Sequence, residues 1–114
     1  MTSLIACLGK NPAEIAHVAE IIKQQEWEKV FIIAETKPNN FPKAEFIMIN
    51  PNQFLPELTE EINAKLKGKI NDLEVALNII SGNGKLHMAT LAAVIKLGLG
   101  IRLIALTKDG VKEI

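Results

Sequence analysis

Two short segments that combine glycine with lysine are the parts of the sequence best suited to chemistry. The first is Gly9-Lys10-Asn11-Pro12 and the second is Ser81-Gly82-Asn83-Gly84-Lys85. Glycine lets the backbone approach a ligand closely. A helix that begins at such a segment presents unpaired N–H groups and the positive end of its dipole. With a lysine in each, the two segments predict a binding site for an anion.

The second segment carries the stronger signal. A lysine in the first turn of a helix opposes the helix dipole, so Lys85 indicates a ligand role. The alternative is a tight turn with a lysine in solvent. The segment is not a Walker A loop, because Ile79 stands where that motif needs glycine, and His87 replaces the third glycine of the dinucleotide-binding fingerprint.

Other chemically capable side chains are few. His87 could contact a phosphate or a base, although surface histidines are commoner. His17 is expected at the surface, and Cys7 is expected to be an inert core residue. Two isolated histidines without an acidic cluster predict no metal site. Ser81 has no evident base beyond His87, so no nucleophilic triad is indicated.

The elements that must position the two segments alternate between strands and helices. Short apolar runs predict strands, and apolar residues at helical spacing predict helices. The strands are predicted at 3–8, 29–34, 45–49, 74–80 and 101–106, and the helices at 12–25, 55–66 and 86–97. Lys108-Asp109-Gly110 predicts a hairpin into an edge strand at 111–114. The chain is thus predicted to be one α/β domain over 1–114, three-layered and Rossmann-like, with a mostly parallel sheet and a C-terminal antiparallel edge hairpin.

The predicted topology brings the two segments together. In open α/β sheets, ligands bind beyond the carboxyl ends of the strands, where the strand order reverses. The first and fourth strands are expected to be neighbours at that point. The segments that follow them should therefore meet and place Lys10 and Lys85 on a cationic rim for a polyanion.

Composition excludes several classes of function. Among 114 residues, 13 basic residues balance 13 acidic ones, so direct DNA binding is not expected. A single cysteine excludes a disulfide framework. No apolar run approaches the roughly 20 residues of a membrane span. The start of the sequence lacks the basic residues of a signal peptide, and the expected location is cytoplasmic.

Together these features resemble a CARF domain, the CRISPR-associated Rossmann-fold ligand sensor. The resemblance rests on Gly9–Pro12 after the first strand and on Ser81–Lys85, which is similar to a Thr-Gly-Gly-Thr-Lys signature. It also rests on the alanine-rich helix that begins near Met88 and on the Gly100-Ile101-Arg102 strand before the hairpin. The chain departs from the pattern where Asn83 separates two glycines, and Met88 lies one residue further from the lysine than usual.

The resemblance implies a sensor of CRISPR-linked antiviral signalling that binds cyclic oligoadenylate as a homodimer, needs no cofactor and stands alone without an effector domain. Lys10 and Lys85 would neutralise phosphates. The full set of implied ligand contacts is Gly9, Lys10, Asn11, Ser81, Gly82, Asn83, Gly84, Lys85 and His87.

Two alternative functions remain open. Some CARF-type proteins cleave the cyclic ligand without a metal, as ring nucleases. Here Lys10, Asn11, Ser81, Lys85 and His87 could position a ribose 2′-hydroxyl in line with the adjacent phosphate. Alternatively, the chain could be a protein-interaction module that binds no ligand and pairs through the apolar faces of its helices.

The helix at about 85–97 predicts the homodimer. A helix needs an apolar stripe of only about 100° to cover a sheet, whereas this one is apolar almost all round. Its outer surface is predicted from Met88, Ala89, Ala92, Ala93, Ile95 and Leu97. On this prediction, Leu91→Glu or Val94→Glu should give a soluble monomer that no longer binds the ligand.

Overall fold

The strands and helices follow one another along the chain in the predicted order. The structure is a computed structural model that describes residues 2–114. The elements are β1 (Leu4–Cys7), α1 (Pro12–Gln24), β2 (Val30–Ala34), β3 (Glu45–Met48), α2 (Leu55–Leu66), β4 (Glu74–Asn78), α3 (Gly84–Lys96), β5 (Gly100–Thr107) and β6 (Gly110–Glu113). Each predicted element is confirmed, and its ends lie close to those expected from the apolar patterns.

The six strands form one sheet in the order β3-β2-β1-β4-β5-β6. All neighbouring strands are parallel except β5 and β6, which form the C-terminal antiparallel hairpin. The strand order reverses at β1, where Ala6 pairs with Ile32 on one side and with Asn78 on the other. The α/β Rossmann-like class is confirmed, and so is the predicted pairing of the first and fourth strands.

Side chains of β1 alternate between two apolar cores, one on each face of the sheet. Ile5 and Cys7 pack with residues of α2 and α3, whereas Leu4 and Ala6 pack with residues of α1. Both neighbours of β1 are central strands, so every residue of β1 is buried. Three layers result, with two helices above the sheet and one below it. Within residues 2–114 no helix is long and apolar enough to cross a membrane.

Cys7 and His17 differ in how well the sequence predicted them. Cys7 is buried as predicted, and this burial raises the pKa of its thiol to about 12, although a hydrogen bond with Thr90 opposes the shift. His17 was expected at the surface, and it is partly exposed. It is half-buried between α1 and β5, where its Nε2 accepts a hydrogen bond of 3.4 Å from the Leu106 N–H.

The predicted outer surface of α3 needs a correction. Ala89, Ala93 and Val94 are fully buried in the core that α3 shares with α2 and the sheet, so they cannot form an interface with another chain. Leu97 is half-buried against the same core. Leu91 is likewise half-buried against this core. The apolar residues that do face outward are Met88 and Ile95, which are 57% and 59% exposed, together with the half-buried Ala92. This set is called the α3 stripe below.

Candidate functional site

The segments after β1 and β4 touch each other, as their topology predicted. The Gly9 N–H donates a hydrogen bond of 2.8 Å to Ser81 Oγ. A Cβ atom on Gly9 would lie only 2.7 Å from the Cα of Gly82, which is closer than real Cβ contacts come. Glycine at position 9 is therefore needed for the two backbones to approach each other.

A cavity of about 340 Å³ opens beside this junction. Its wall includes a residue that closely follows each of four strands: Leu8 after β1, Glu35 after β2, Ile49 after β3 and Gly82 after β4. The cavity therefore lies beyond the carboxyl ends of the strands, where the strand order reverses. Its lining residues are Leu8, Gly9, Lys10, Asn11, Glu14, Glu35, Ile49, Pro51, Leu58, Gly82, Asn83, Lys85 and Leu86.

Most of the predicted site residues lie on this wall. Gly9, Lys10, Asn11, Gly82, Asn83 and Lys85 line the cavity. Ser81, Gly84 and His87 do not line it. Ser81 is fully buried, and its hydroxyl oxygen accepts the Gly9 N–H. His87 Nε2 lies 2.9 Å from the Ser81 carbonyl oxygen, which only accepts hydrogen bonds, so the histidine donates to it. Both side chains thus hold the segments after β1 and β4 in place through hydrogen bonds, and neither faces the cavity.

The two helix N-termini beside the cavity differ in the N–H groups that they leave for a ligand. In α1, Asn11 accepts hydrogen bonds from the N–H groups of Ala13 and Glu14, and Pro12 has no N–H. In α3, Asn83 accepts only from the Leu86 N–H. Among residues 2–114 the N–H groups of Gly84 and Lys85 have no hydrogen-bond partner. Backbone donors for an anion are therefore available at α3 rather than at α1.

Gly82 turns the chain from β4 toward α3. Its φ of +99° lies in the left-handed region, and an added Cβ would meet Leu86 Cδ2 at 2.9 Å. The Gly82 N–H points toward the Glu14 carboxylate, with Oε1 at 3.4 Å. A side chain at position 82 would strain the turn and disturb this contact.

Each lysine of the site is held by a neighbouring acceptor. Lys10 Nζ forms an ion pair of 2.8 Å with Glu35 Oε1, and this hydrogen bond and the charge of Glu35 raise the pKa of Lys10. Lys85 Nζ donates to the Pro51 carbonyl oxygen at 2.9 Å. Both contacts are exposed and cost little to exchange for a ligand.

Sequence reasoning missed the two acidic residues on the wall, Glu14 and Glu35. They offset the charges of Lys10 and Lys85, so the cavity is not the purely cationic rim that the sequence predicted. Glu35 had a usable signal, because it directly follows the buried strand β2 and had to emerge at the same edge of the sheet. A ligand for this cavity needs hydrogen-bond donors as well as negative charge.

The loop between β3 and α2 forms one side of the cavity and is held by Glu61. This carboxylate accepts hydrogen bonds from the Asn50 N–H at 3.1 Å, from Gln53 Nε2 at 2.6 Å and from Lys65 Nζ at 3.0 Å. Partial burial raises the pKa of Glu61, but the hydrogen bonds and the charge of Lys65 outweigh it and hold the pKa below its ordinary value. The carboxylate form therefore stabilises the loop that carries Pro51.

Glu61→Gln should flatten the acid dependence of stability. Because the pKa of Glu61 is lowered on folding, its contribution is present above its ordinary pKa and is lost as the pH falls through the folded value. Urea unfolding between pH 6 and pH 3 measures this. We expect the variant to lose about 1 kcal/mol near neutral pH and to approach the wild type at low pH. A constant difference at every pH would show that the charge of Glu61 is not what stabilises the loop.

A scan of the chain against protein-family models finds no matching family, and a search of curated proteins finds no match either. Within the described part of the chain, no group of three or more His, Cys, Asp or Glu side chains could hold a metal ion. The function is therefore inferred from the geometry of the cavity.

Proposed function

We propose that this chain is a CARF-like sensor domain of CRISPR-linked antiviral signalling, which binds cyclic oligoadenylate as a homodimer. The observation that carries the proposal is the junction of the Gly9 and Gly82 backbones, beside a cavity that both Lys10 and Lys85 line. It is supported by the similarity of Ser81–Lys85 to the family signature. It is also supported by the position of the cavity, at the edge where α/β sheets of this order bind nucleotides.

The polar groups on the wall suit a nucleotide better than a simple anion. On the wall, the N–H group of Lys85 and the ammonium groups of Lys10 and Lys85 can all donate to phosphate oxygens, and the N–H group of Gly84 lies next to the wall in the chain. Glu14 and Glu35 would repel a bare anion, but they can accept from the hydroxyl and amino groups of a nucleoside. Apolar Leu8, Ile49 and Leu58 complete the lining.

Cavity size and the α3 stripe support a dimer. A volume of about 340 Å³ is near the lower limit for small-molecule sites, so one cavity has room for part of a cyclic tetranucleotide rather than all of it. A two-fold dimer would supply a second cavity and two more lysines. Met88 and Ile95 of the α3 stripe and Leu103 of β5 are large exposed apolar side chains. A second copy packed there would cover them.

Binding is favoured over cleavage of the ring. Two of the five side chains considered for cleavage, Ser81 and His87, are engaged in the junction and lie outside the cavity wall. Neither is placed to activate a ribose hydroxyl in the cavity. The proposed function is therefore that of a sensor.

Removing both lysines should abolish binding of the ring. Isothermal titration with cyclic tri-, tetra- and hexa-adenylate measures the affinity of the wild type and of a Lys10→Ala/Lys85→Ala variant. Each charge-assisted hydrogen bond contributes about 1.5–3 kcal/mol, so we expect the double variant to bind at least a hundredfold more weakly. The effect should be strongest at low salt.

Lys23→Ala is the matched control for this experiment. Lys23 is exposed in the last turn of α1, about 16 Å along the helix from Pro12 at a rise of 1.5 Å per residue. Its removal changes the net charge of the protein but leaves the cavity intact. If no ring binds to the folded wild type, or if Lys23→Ala weakens binding as much as the double variant, the proposed function is wrong.

A further inference from the structure

Glu35 is the acidic residue of the cavity wall that forms an ion pair with Lys10. The proposed function assigns Lys10 to a phosphate of the ligand. It follows β2 directly, and its side chain is 33% exposed. One carboxylate oxygen, Oε1, contacts Lys10 Nζ at 2.8 Å. Glu35 and Lys10 both line the cavity. A ligand there can therefore reach the Glu35 carboxylate beside Lys10.

The chemistry of Glu35 limits what that ligand group can be. An ionised carboxylate only accepts hydrogen bonds, so it repels phosphate and attracts a hydroxyl or amino group. Lys10 can donate to Glu35 and to a phosphate oxygen at the same time. At ordinary hydrogen-bond lengths this places the phosphate oxygen within about 6 Å of the Glu35 carboxylate oxygen. A hydroxyl on an atom next to the phosphate can then reach Glu35.

In a ribonucleotide with a 3′-phosphate, the 2′-hydroxyl lies on the carbon next to the one that bears the phosphate. It is also the sugar hydroxyl that a 3′–5′-linked ring leaves free, because the 3′ and 5′ oxygens are bonded to phosphorus. Glu14 is less suited to this role, because its carboxylate already faces the Gly82 N–H. An acidic residue after the second strand is also where related sheet topologies hold a ribose hydroxyl.

We propose that Glu35 accepts a hydrogen bond from the ribose 2′-hydroxyl of a nucleotide whose phosphate is bound by Lys10, and so makes the cavity selective for ribonucleotides over deoxyribonucleotides. This deepens the proposed function and rests on it for the location of the nucleotide. It does not depend on the ligand being a ring, on the dimer or on the length of the ring.

The test compares adenosine 3′-monophosphate with its 2′-deoxy analogue, and cyclic tetra-adenylate with its all-deoxy analogue. Chemical shifts of the Gly9 and Gly82 amides report binding by NMR down to millimolar affinity. We expect wild type to bind each ribose form at least tenfold more tightly than its deoxy form. Glu35→Gln should lower that ratio several-fold, because an amide oxygen is a weaker acceptor than a carboxylate oxygen. The ratio is the readout because the same variant frees Lys10 and should tighten binding of both forms.

Glu57→Gln is the matched control, since Glu57 is exposed in the first turn of α2 and does not line the cavity. It should keep the preference of the wild type. If Glu35→Gln alone lowers the preference for the ribose mononucleotide, the proposal is supported even when no ring binds. The absence of ring binding then refutes only the proposed function. The proposal is overturned by equal binding of ribose and deoxy forms, by an unchanged preference in Glu35→Gln, by a reduced preference in Glu57→Gln, or by the absence of a shift with any probe.

Discussion

Gly9→Ala should be among the most destabilising single-methyl changes in this protein. The added Cβ would lie 2.7 Å from the Cα of Gly82 and 2.8 Å from its backbone nitrogen, so no flexible side chain can move aside. The two segments must separate, which also breaks the hydrogen bond from Gly9 to Ser81. Overpacking of this kind costs roughly 1–3 kcal/mol, and we expect a value at or above the upper end.

Urea unfolding measures this loss, and Gly84→Ala supplies a matched control from the same site. An added Cβ on Gly84 would meet nothing within 4 Å, and the residue begins α3. Alanine there should be neutral or should stabilise the protein by about 0.4–1 kcal/mol. If the two alanine variants lose similar stability, the backbones of the two segments do not touch as the structure has them.

Val94→Glu should leave no folded protein at room temperature, whereas Ile95→Glu should fold. Val94 is 0% exposed, and a carboxylate there would be buried among apolar side chains without a partner. Such substitutions cost more than about 4 kcal/mol, a large part of the stability of a small domain. Ile95, the next residue along α3, is 59% exposed and tolerates a charge.

Circular dichroism reports whether each variant folds, and sedimentation equilibrium reports its oligomeric state. We expect the wild type to be a dimer at micromolar concentration and Ile95→Glu to be a folded monomer. A folded Val94→Glu protein would mean that α3 is rotated about its axis relative to the structure. A monomeric wild type would refute the proposed dimer while leaving the cavity of each chain in place.

Most of the fold was predictable because β1 and β2 are uninterrupted apolar runs, and Asn11-Pro12 marks a helix start. The meeting of the two segments followed from a general rule of sheet topology. The orientation of α3 about its own axis could not be predicted, because apolar residues all round a helix do not show which side faces the core. Ala89 and Val94 are inside only because α2 and the sheet pack there.

The acidic half of the cavity was harder to predict for a different reason. Glu35 is far in sequence from both lysines, and only the folded chain brings it to the same wall. Glu14 is four residues after Lys10, but the sequence does not show that its side chain faces the cavity. The roles of Ser81 and His87 were also invisible, since residue type does not show whether a polar side chain faces a ligand or the neighbouring backbone. Ser81 depends on a contact with Gly9, 72 positions away, which local patterns do not encode. His87 contacts Ser81 only six positions before it, but the sequence does not show which way either side chain points.

The bond between Gly9 and Ser81 has a consequence for synthesis of the protein, because its partners lie 72 positions apart in the chain. At about 5–20 residues per second, a ribosome takes roughly 4–14 seconds to add the second partner after the first. Throughout that interval β1, which becomes the most protected strand, has no β4 to pair with. The nascent chain therefore cannot recognise any ligand at this junction until β4 and the start of α3 have emerged. Contacts between residues so far apart in sequence also slow folding, because a long loop must close before they form.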